Sequence, residues 1–150
     1  MPDPHVTYRE IEASWEFSLC QQKIGFHVVH FNARSLKKEK LDYVRYHFEF
    51  SEIDVIAVAK TWFQNDVPDI YFDLQGYNIF RNDRMGRVGG GVAVYVKKNL
   101  SAKIISKSTE LVEYINLEIG DSNTKTFFHV SIILVETILL IIILTPYQTC

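Results

Sequence analysis

The chain has 150 residues, 47% of them hydrophobic, and a formal net charge of −2. That length and composition give one domain with a core of ordinary size; the charge excludes a grip on nucleic acid by overall positive potential, so any such grip must be local. Its two cysteines, Cys20 and Cys150, stand far apart without metal-ligand partners at useful spacing, which excludes a disulfide framework and a zinc site and suits a reducing compartment.

In chain order, residues 1–22 read as a polar, irregular lead-in with Pro2 and Pro4 early, and they lack the apolar core of a signal peptide. "KIGFHVVHFN", Lys23 to Asn32, is rich in β-branched and aromatic residues and predicts a buried strand. Ser35 follows as a plausible helix N-cap. "LKKEKLDYVRYHFEF" then places Leu41, Val44 and Phe48 at helical spacing and turns Lys37, Lys38, Glu39 and Lys40 to water. "IDVIAVA", Ile53 to Ala59, is a second strand. Strand, helix and strand in succession put both strands in one sheet.

Asn65, Asp66 and Pro68 mark a loop after Trp62, and Gly76 announces a short strand at Tyr77 to Phe80. "RNDRMGR" then piles up charge before Gly89, Gly90 and Gly91, and "GVAVYV" alternates as a strand should. "AKIIS" and "LVEYINLEI" complete a strand-and-turn meander. The sharpest change in composition falls near Gly120: "FFHVSIILVETILLIIIL", residues 127–144, carries one charge, Glu136. Three readings fit that tail: a strand followed by a buried helix on the domain, a membrane span of minimum length, or an aggregation-prone flap. Glu136 would cost about 2.5–3.5 kcal/mol at the middle of a bilayer, so burial on the domain is favoured over insertion.

Asn32 and Arg34 close the first strand, and Lys60 and Trp62 close the second. Ligands gather at such strand ends in open α/β sheets. A carboxamide and a charged group converging there form a candidate site; the plainer reading is that Asn32 caps a turn and Lys60 is solvated. His27 and His30 read as sheet-surface residues, and His129 as a core or interfacial histidine rather than a surrogate base.

The blocks "FHVVHFNARSLKKEKLD", "IDVIAVAKTWF", "GYNIFRNDRMGRVGGGVAVYVKKNL" and "EYINLEI" resemble, in order and spacing, the first half of the endonuclease/exonuclease/phosphatase domain. The likeness is nearest to the apurinic-type endonuclease of non-LTR (LINE-like, jockey-type) retrotransposons, and it spans roughly Lys23 to Ile119. It implies an α/β (α+β) fold, a truncated two-sheet sandwich, with residues 1–22 as lead-in, 23–119 as the partial domain and 120–150 as a divergent apolar tail. The family hydrolyses DNA phosphodiesters with Mg2+.

By that resemblance Asn32 matches an asparagine at the metal and phosphate site, and Lys60 stands where the family's "E-T-W" block has its metal-binding glutamate. Magnesium wants anionic oxygen ligands, and an ammonium repels it. The family also needs a tyrosine, an Asp-x-Asn pair and a closing Asp-His pair. Beyond Ser131 there is no Asp-x-Asn and no Ser-Asp-His, and no aspartate follows Asp121.

The expectation is therefore a retrotransposon-derived endonuclease-like domain that retains neither Mg2+ nor catalysis. Arg34, Arg81 and Arg84 would contact DNA phosphates, which position a duplex without reading its sequence. Alternatively Arg81, Asp83 and Arg84 form an ion cluster that braces their loop. The three glycines would let a strand approach its neighbours closely. Two further readings stand beside this one: a non-catalytic nucleic-acid or protein-binding remnant, and a small membrane-tethered protein. The implied partners are DNA, held weakly through phosphates, and a membrane or a second copy met through residues 127–144. The implied location is intracellular, nuclear or cytoplasmic, or at a membrane if the tail inserts.

Overall fold

A strand built only of Val, Ile and Ala has no face to show to water, so it must be covered on both sides. Val55–Ala59 is such a strand, and all five of its residues are buried. The rest of the molecule is arranged around that requirement. The computed structural model describes the backbone of residues 6–10, 16–21, 27–87, 89–108, 110, 112–121, 126–135 and 138–148, and the side chains of residues 27–87, 89–108, 110, 112–120 and 133.

The elements in chain order are β1 (Val6–Glu10), β2 (Glu16–Gln21), β3 (His27–Asn32), α1 (Lys38–Phe48), β4 (Val55–Ala59), a 3-10 turn (Asp69–Phe72), β5 (Tyr77–Asn82), β6 (Val92–Lys97), β7 (Ser101–Ser108), β8 (Glu113–Asp121), β9 (Thr126–Val135) and β10 (Ile138–Gln148). One sheet has the order β1-β2-β3-β4-β6-β5 and the other β10-β9-β8-β7. β3 and β4 pair in parallel with Asn32 opposite Ala59, as the strand-helix-strand pattern predicts. The remaining pairs are antiparallel.

The two faces of the first sheet feed two cores. On the outer face Val29, Phe31, Ile56, Val58, Ala93 and Tyr95 pack with Leu41, Val44 and Phe48 of α1. On the inner face Val55, Ala57, Ala59, Val92, Val94 and Val96 meet Ile115, Leu117 and Ile119 of β8. The chain is thus mixed α/β, two sheets with a helix outside, an architecture compatible with an α+β sandwich. Each fully buried Val or Ile contributes about 1.5–3 kcal/mol of transfer free energy, so the inter-sheet layer alone is a large term. Polar side chains tie the same layers at their margins. Tyr95 Oη donates to the Phe72 carbonyl at 2.8 Å. Arg45 on α1 donates through Nε to the Asp73 carbonyl at 2.9 Å.

Three sequence expectations change. Ser35 does not cap the helix; Lys37 holds that position with no side-chain cap. Tertiary pairing takes Ser35 instead: its backbone is left-handed (φ 79°) and its N–H is donated to the Lys60 carbonyl at 2.8 Å. The lead-in, expected to be irregular, contains β1 and β2, and β2 pairs with β3. Val6-Thr7-Tyr8 and the alternating Phe17 and Leu19 are the strand-forming residues there. The second half of the apolar tail, expected to be a buried helix, is β10, paired with β9, which pairs with β8. Ile138, Ile141, Ile142 and Ile143 are β-branched, stiff at χ1, and suit a pleated surface better than a helix. No helix among the described residues is long and apolar enough to cross a membrane.

Asn82, 5% exposed at the end of β5, links the two sheets. Its Nδ2 donates to the Ser108 carbonyl at 2.7 Å and the Tyr114 carbonyl at 2.9 Å. Asn82→Ala should leave both carbonyls without this donor and cost about 2–3 kcal/mol. Urea unfolding checks this, and Asn82→Asp should cost at least as much because a carboxylate cannot donate.

Candidate functional site

The loops that leave β3 and β4 are zipped together by backbone alone. Ala33 N–H donates to the Ala59 carbonyl at 2.9 Å, and Leu36 N–H to the Thr61 carbonyl at 2.8 Å. On the other side, Thr61 N–H reaches the Gly91 carbonyl at 3.3 Å and Trp62 N–H the Gly90 carbonyl at 2.9 Å. The zipper forces Arg34 (φ 45°), Ser35 (φ 79°), Lys60 (φ 53°) and Trp62 (φ 58°) into left-handed backbone. Each such residue costs on the order of 1–3 kcal/mol, and clusters of them mark sites where geometry is imposed by tertiary structure.

This arrangement brings Asn32 and Lys60 to neighbouring strand ends, as the sequence predicts. Both are half-buried, and Arg34 beside them is exposed. Lys40 on α1 reaches back, its Nζ donating to the carbonyls of Ala33 at 2.9 Å and Arg34 at 3.1 Å. Asn32 Oδ1 and Ser35 Oγ are buried without a hydrogen-bond partner among the described residues. Such orphan atoms are uncommon in folded proteins. His30 on the same strand has its imidazole pKa lowered by burial.

The glycine run has a local cause. A Cβ at Gly90 would lie 2.3 Å from both Cζ and Nε of Arg84, and one at Gly91 would lie 2.8 Å from Thr61 Oγ1. Both residues also have left-handed backbone (φ 66° and 83°), so glycine is favoured where the loop passes the Arg84 guanidinium and the end of β4. Arg84 is fixed from the other sheet: its Nε donates to Glu113 Oε1, and Gly91 N–H donates to Glu113 Oε2 at 2.8 Å. Glu113 is 4% exposed, so its charge is offset by these donors rather than by water.

Arg81 is likewise engaged inside the molecule. Its guanidinium pairs with Asp83 at 3.0 Å and Asp69 at 3.2 Å, lies 4.7 Å over the Phe72 ring, and donates to the carbonyls of Gln64 at 3.0 Å and Val67 at 2.7 Å. Arg81 and Arg84 are thus placed to brace the 63–72 loop and the glycine loop, which is the work of the ion-cluster alternative, although Arg84 takes Glu113 rather than Asp83 as its partner. Of the three predicted phosphate-contacting arginines, Arg34 is the exposed one.

Burial pushes the Asp83 carboxyl above the ordinary aspartate range, with Arg81 pulling the other way. Asn32 and Lys60 together offer a metal one carboxamide and one ammonium, and the described residues contain no group of three His, Cys, Asp or Glu that could hold a cation. This pair does not fit Mg2+, which needs hard anionic oxygens. The chain does contain one Asp-x-Asn tripeptide, Asp121-Ser122-Asn123, ahead of the place that the resemblance assigns to that pattern. Its side chains, like those of His129 and both cysteines, lie outside the described residues.

Glu113 was not foreseen, although the signal was present. Residues 113, 115, 117 and 119 alternate in phase and all are buried, so period-2 reading of "EYINLEI" already points Glu113 inward. No family model matches the sequence, no curated protein matches it, and no solved structure matches the fold.

Gly90→Ala should cost about 1–2 kcal/mol in backbone strain, plus part of the Arg84–Glu113 pair. Glu113→Gln should cost about 3 kcal/mol by leaving Arg84 poorly compensated. Both act through one ion pair, so the double variant should lose less than the sum of the single losses in thermal or urea unfolding.

The raised Asp83 pKa gives a signed pH effect. For an acid whose folded pKa is raised, its stabilising contribution is full below the unfolded value of about 3.9 and is lost as pH rises through the folded value. The stability of Asp83→Asn relative to the parent should therefore improve as pH climbs from about 4 to 7. A difference in melting temperature that stays constant over this range would contradict it.

Proposed function

We propose that the chain is a non-hydrolysing domain of the endonuclease/exonuclease/phosphatase type, derived from the apurinic-type endonuclease of a non-LTR retrotransposon, that holds DNA by its phosphates. One observation carries the reading. Lys60 lies beside Asn32 at the joined ends of two parallel strands, where that family has its metal-binding glutamate. An ammonium there attracts a phosphate but cannot lower the pKa of a metal-bound water. Phosphate contact then falls to Arg34 and Lys60, while Arg81 and Arg84 position the loops around them. Such binding is weak, local and indifferent to sequence, in keeping with a net charge of −2.

With supercoiled plasmid and Mg2+ or Mn2+, the full chain should bind without nicking, and Lys60→Glu alone should restore no cleavage. EDTA-sensitive nicking that Asn32→Ala abolishes would refute the reading. Binding to duplex DNA should weaken steeply with salt. Arg34→Gln with Lys60→Gln should flatten the log–log slope by about 1.8, the worth of two phosphate contacts on B-DNA. An unchanged slope would remove both residues from the interface.

A further inference from the structure

Beside the strand ends lies an open groove of about 560 Å3, between the start of α1 and the 61–72 segment. Lys37 and Lys38 line it, as does Arg45, which is already paired with Asp42 at 3.3 Å; no Asp or Glu is among the lining residues. Trp62 and Tyr71 also line it, and they are 43% and 64% exposed. Two exposed aromatic rings in a mostly apolar groove are costly to leave in water, and with the two exposed lysines beside them they set the chemistry of what would cover them.

Trp62 is held there rather than loosely exposed. Its backbone is left-handed and its N–H is bound to the Gly90 carbonyl. The indole Nε1 lies over Gly89, where an added Cβ would come within 3.4 Å of it. The opposite wall is set by Arg81, which pins the carbonyls of Gln64 and Val67, and by Arg45, whose Nη2 donates to the Tyr71 carbonyl at 3.3 Å. Both rings therefore stand on a braced frame, and little ordering is left for a ligand to impose.

We infer that this groove binds single-stranded nucleic acid, with a base stacked on Trp62 and the flanking phosphates against Lys37 and Lys38. A single strand supplies alternately a flat apolar ring and an anion, the two things that the lining can receive. A duplex keeps its bases stacked on one another and cannot offer them to Trp62. An acidic peptide would answer the cations but leave the rings uncovered. The inference rests on the nucleic-acid reading above and extends it from phosphates to bases.

The test uses the full chain and a fluorescein-labelled oligothymidylate of roughly ten nucleotides, within the usual footprint of such sites. Anisotropy should report binding, and in a Trp15→Phe background the strand should quench Trp62 emission. Trp62→Ala should weaken binding about tenfold and Trp62→Phe should recover most of the loss, since any aromatic face can stack. Lys37→Gln with Lys38→Gln should flatten the salt slope by about 1.4, the single-strand value for two contacts. If Trp62→Ala melts at a lower temperature than the parent, Tyr71→Ala and the lysine pair carry the test. Undiminished affinity in those variants would overturn the inference, as would polyglutamate competing as well as unlabelled strand. A chain that binds duplex through Arg34 and Lys60 but ignores the labelled strand sinks this inference alone. A chain that binds neither sinks both.

Discussion

The carboxylate of Glu113 is the joint on which the loops at the ends of β3 and β4 depend. It begins β8 in the second sheet, yet both of its oxygens are taken by the loop before β6 in the first. That loop in turn accepts the N–H groups of Thr61 and Trp62 through the Gly91 and Gly90 carbonyls. The carbonyls of Lys60 and Thr61 then accept from Ser35 and Leu36. The loops after β3, after β4 and before β6 are thus held in series from one buried acid. A buried charge of this kind is unfavourable to create, and it is tolerated because two directional donors meet it.

The same series explains why the strand-end face is both strained and cationic. Left-handed residues persist only where surrounding structure over-determines them, and here the backbone bonds on either side do so. Two arginines that would count as free positive charge in the sequence are committed to internal bracing. Arg84 is held by Glu113, and Arg81 by Asp83, Asp69 and two carbonyls. What they leave exposed is a different set that includes Arg34, Lys37, Lys38 and Arg87, with Lys60 half-buried. Charge in a sequence is thus a poor guide to charge on a surface unless the acids within reach are known.

Elements whose signal is local were legible. β4 announces itself as an uninterrupted apolar run, β6 by the alternation read in "GVAVYV", and α1 by Leu41, Val44 and Phe48 at helical spacing. Asn32 and Lys60 could be placed together because parallel pairing follows from strand-helix-strand order. Ser35 failed as a cap because a hydrogen bond to Lys60, 25 positions later, outweighed a preference worth about 1 kcal/mol. The tail was ambiguous for another reason: "ILLIIIL" has neither period, so length and composition had to choose between helix and strand. Arg84's partner lies 29 residues away in the other sheet, and no short pattern encodes that distance.

The polar ties between the sheets, those of Asn82 and Glu113, gather at the end where β4 and β5 finish and β6 begins. Toward Ile119 and Val96 the layers meet through apolar residues of β6 and β8. Such a sandwich is bound like a book along one edge. Its local openings should start at the loose edge, and amides near Gly120 should exchange with solvent sooner than those near Glu113. The strand-end face then stays assembled through fluctuations that part the sheets elsewhere, so its geometry outlasts the tightness of the core beneath it.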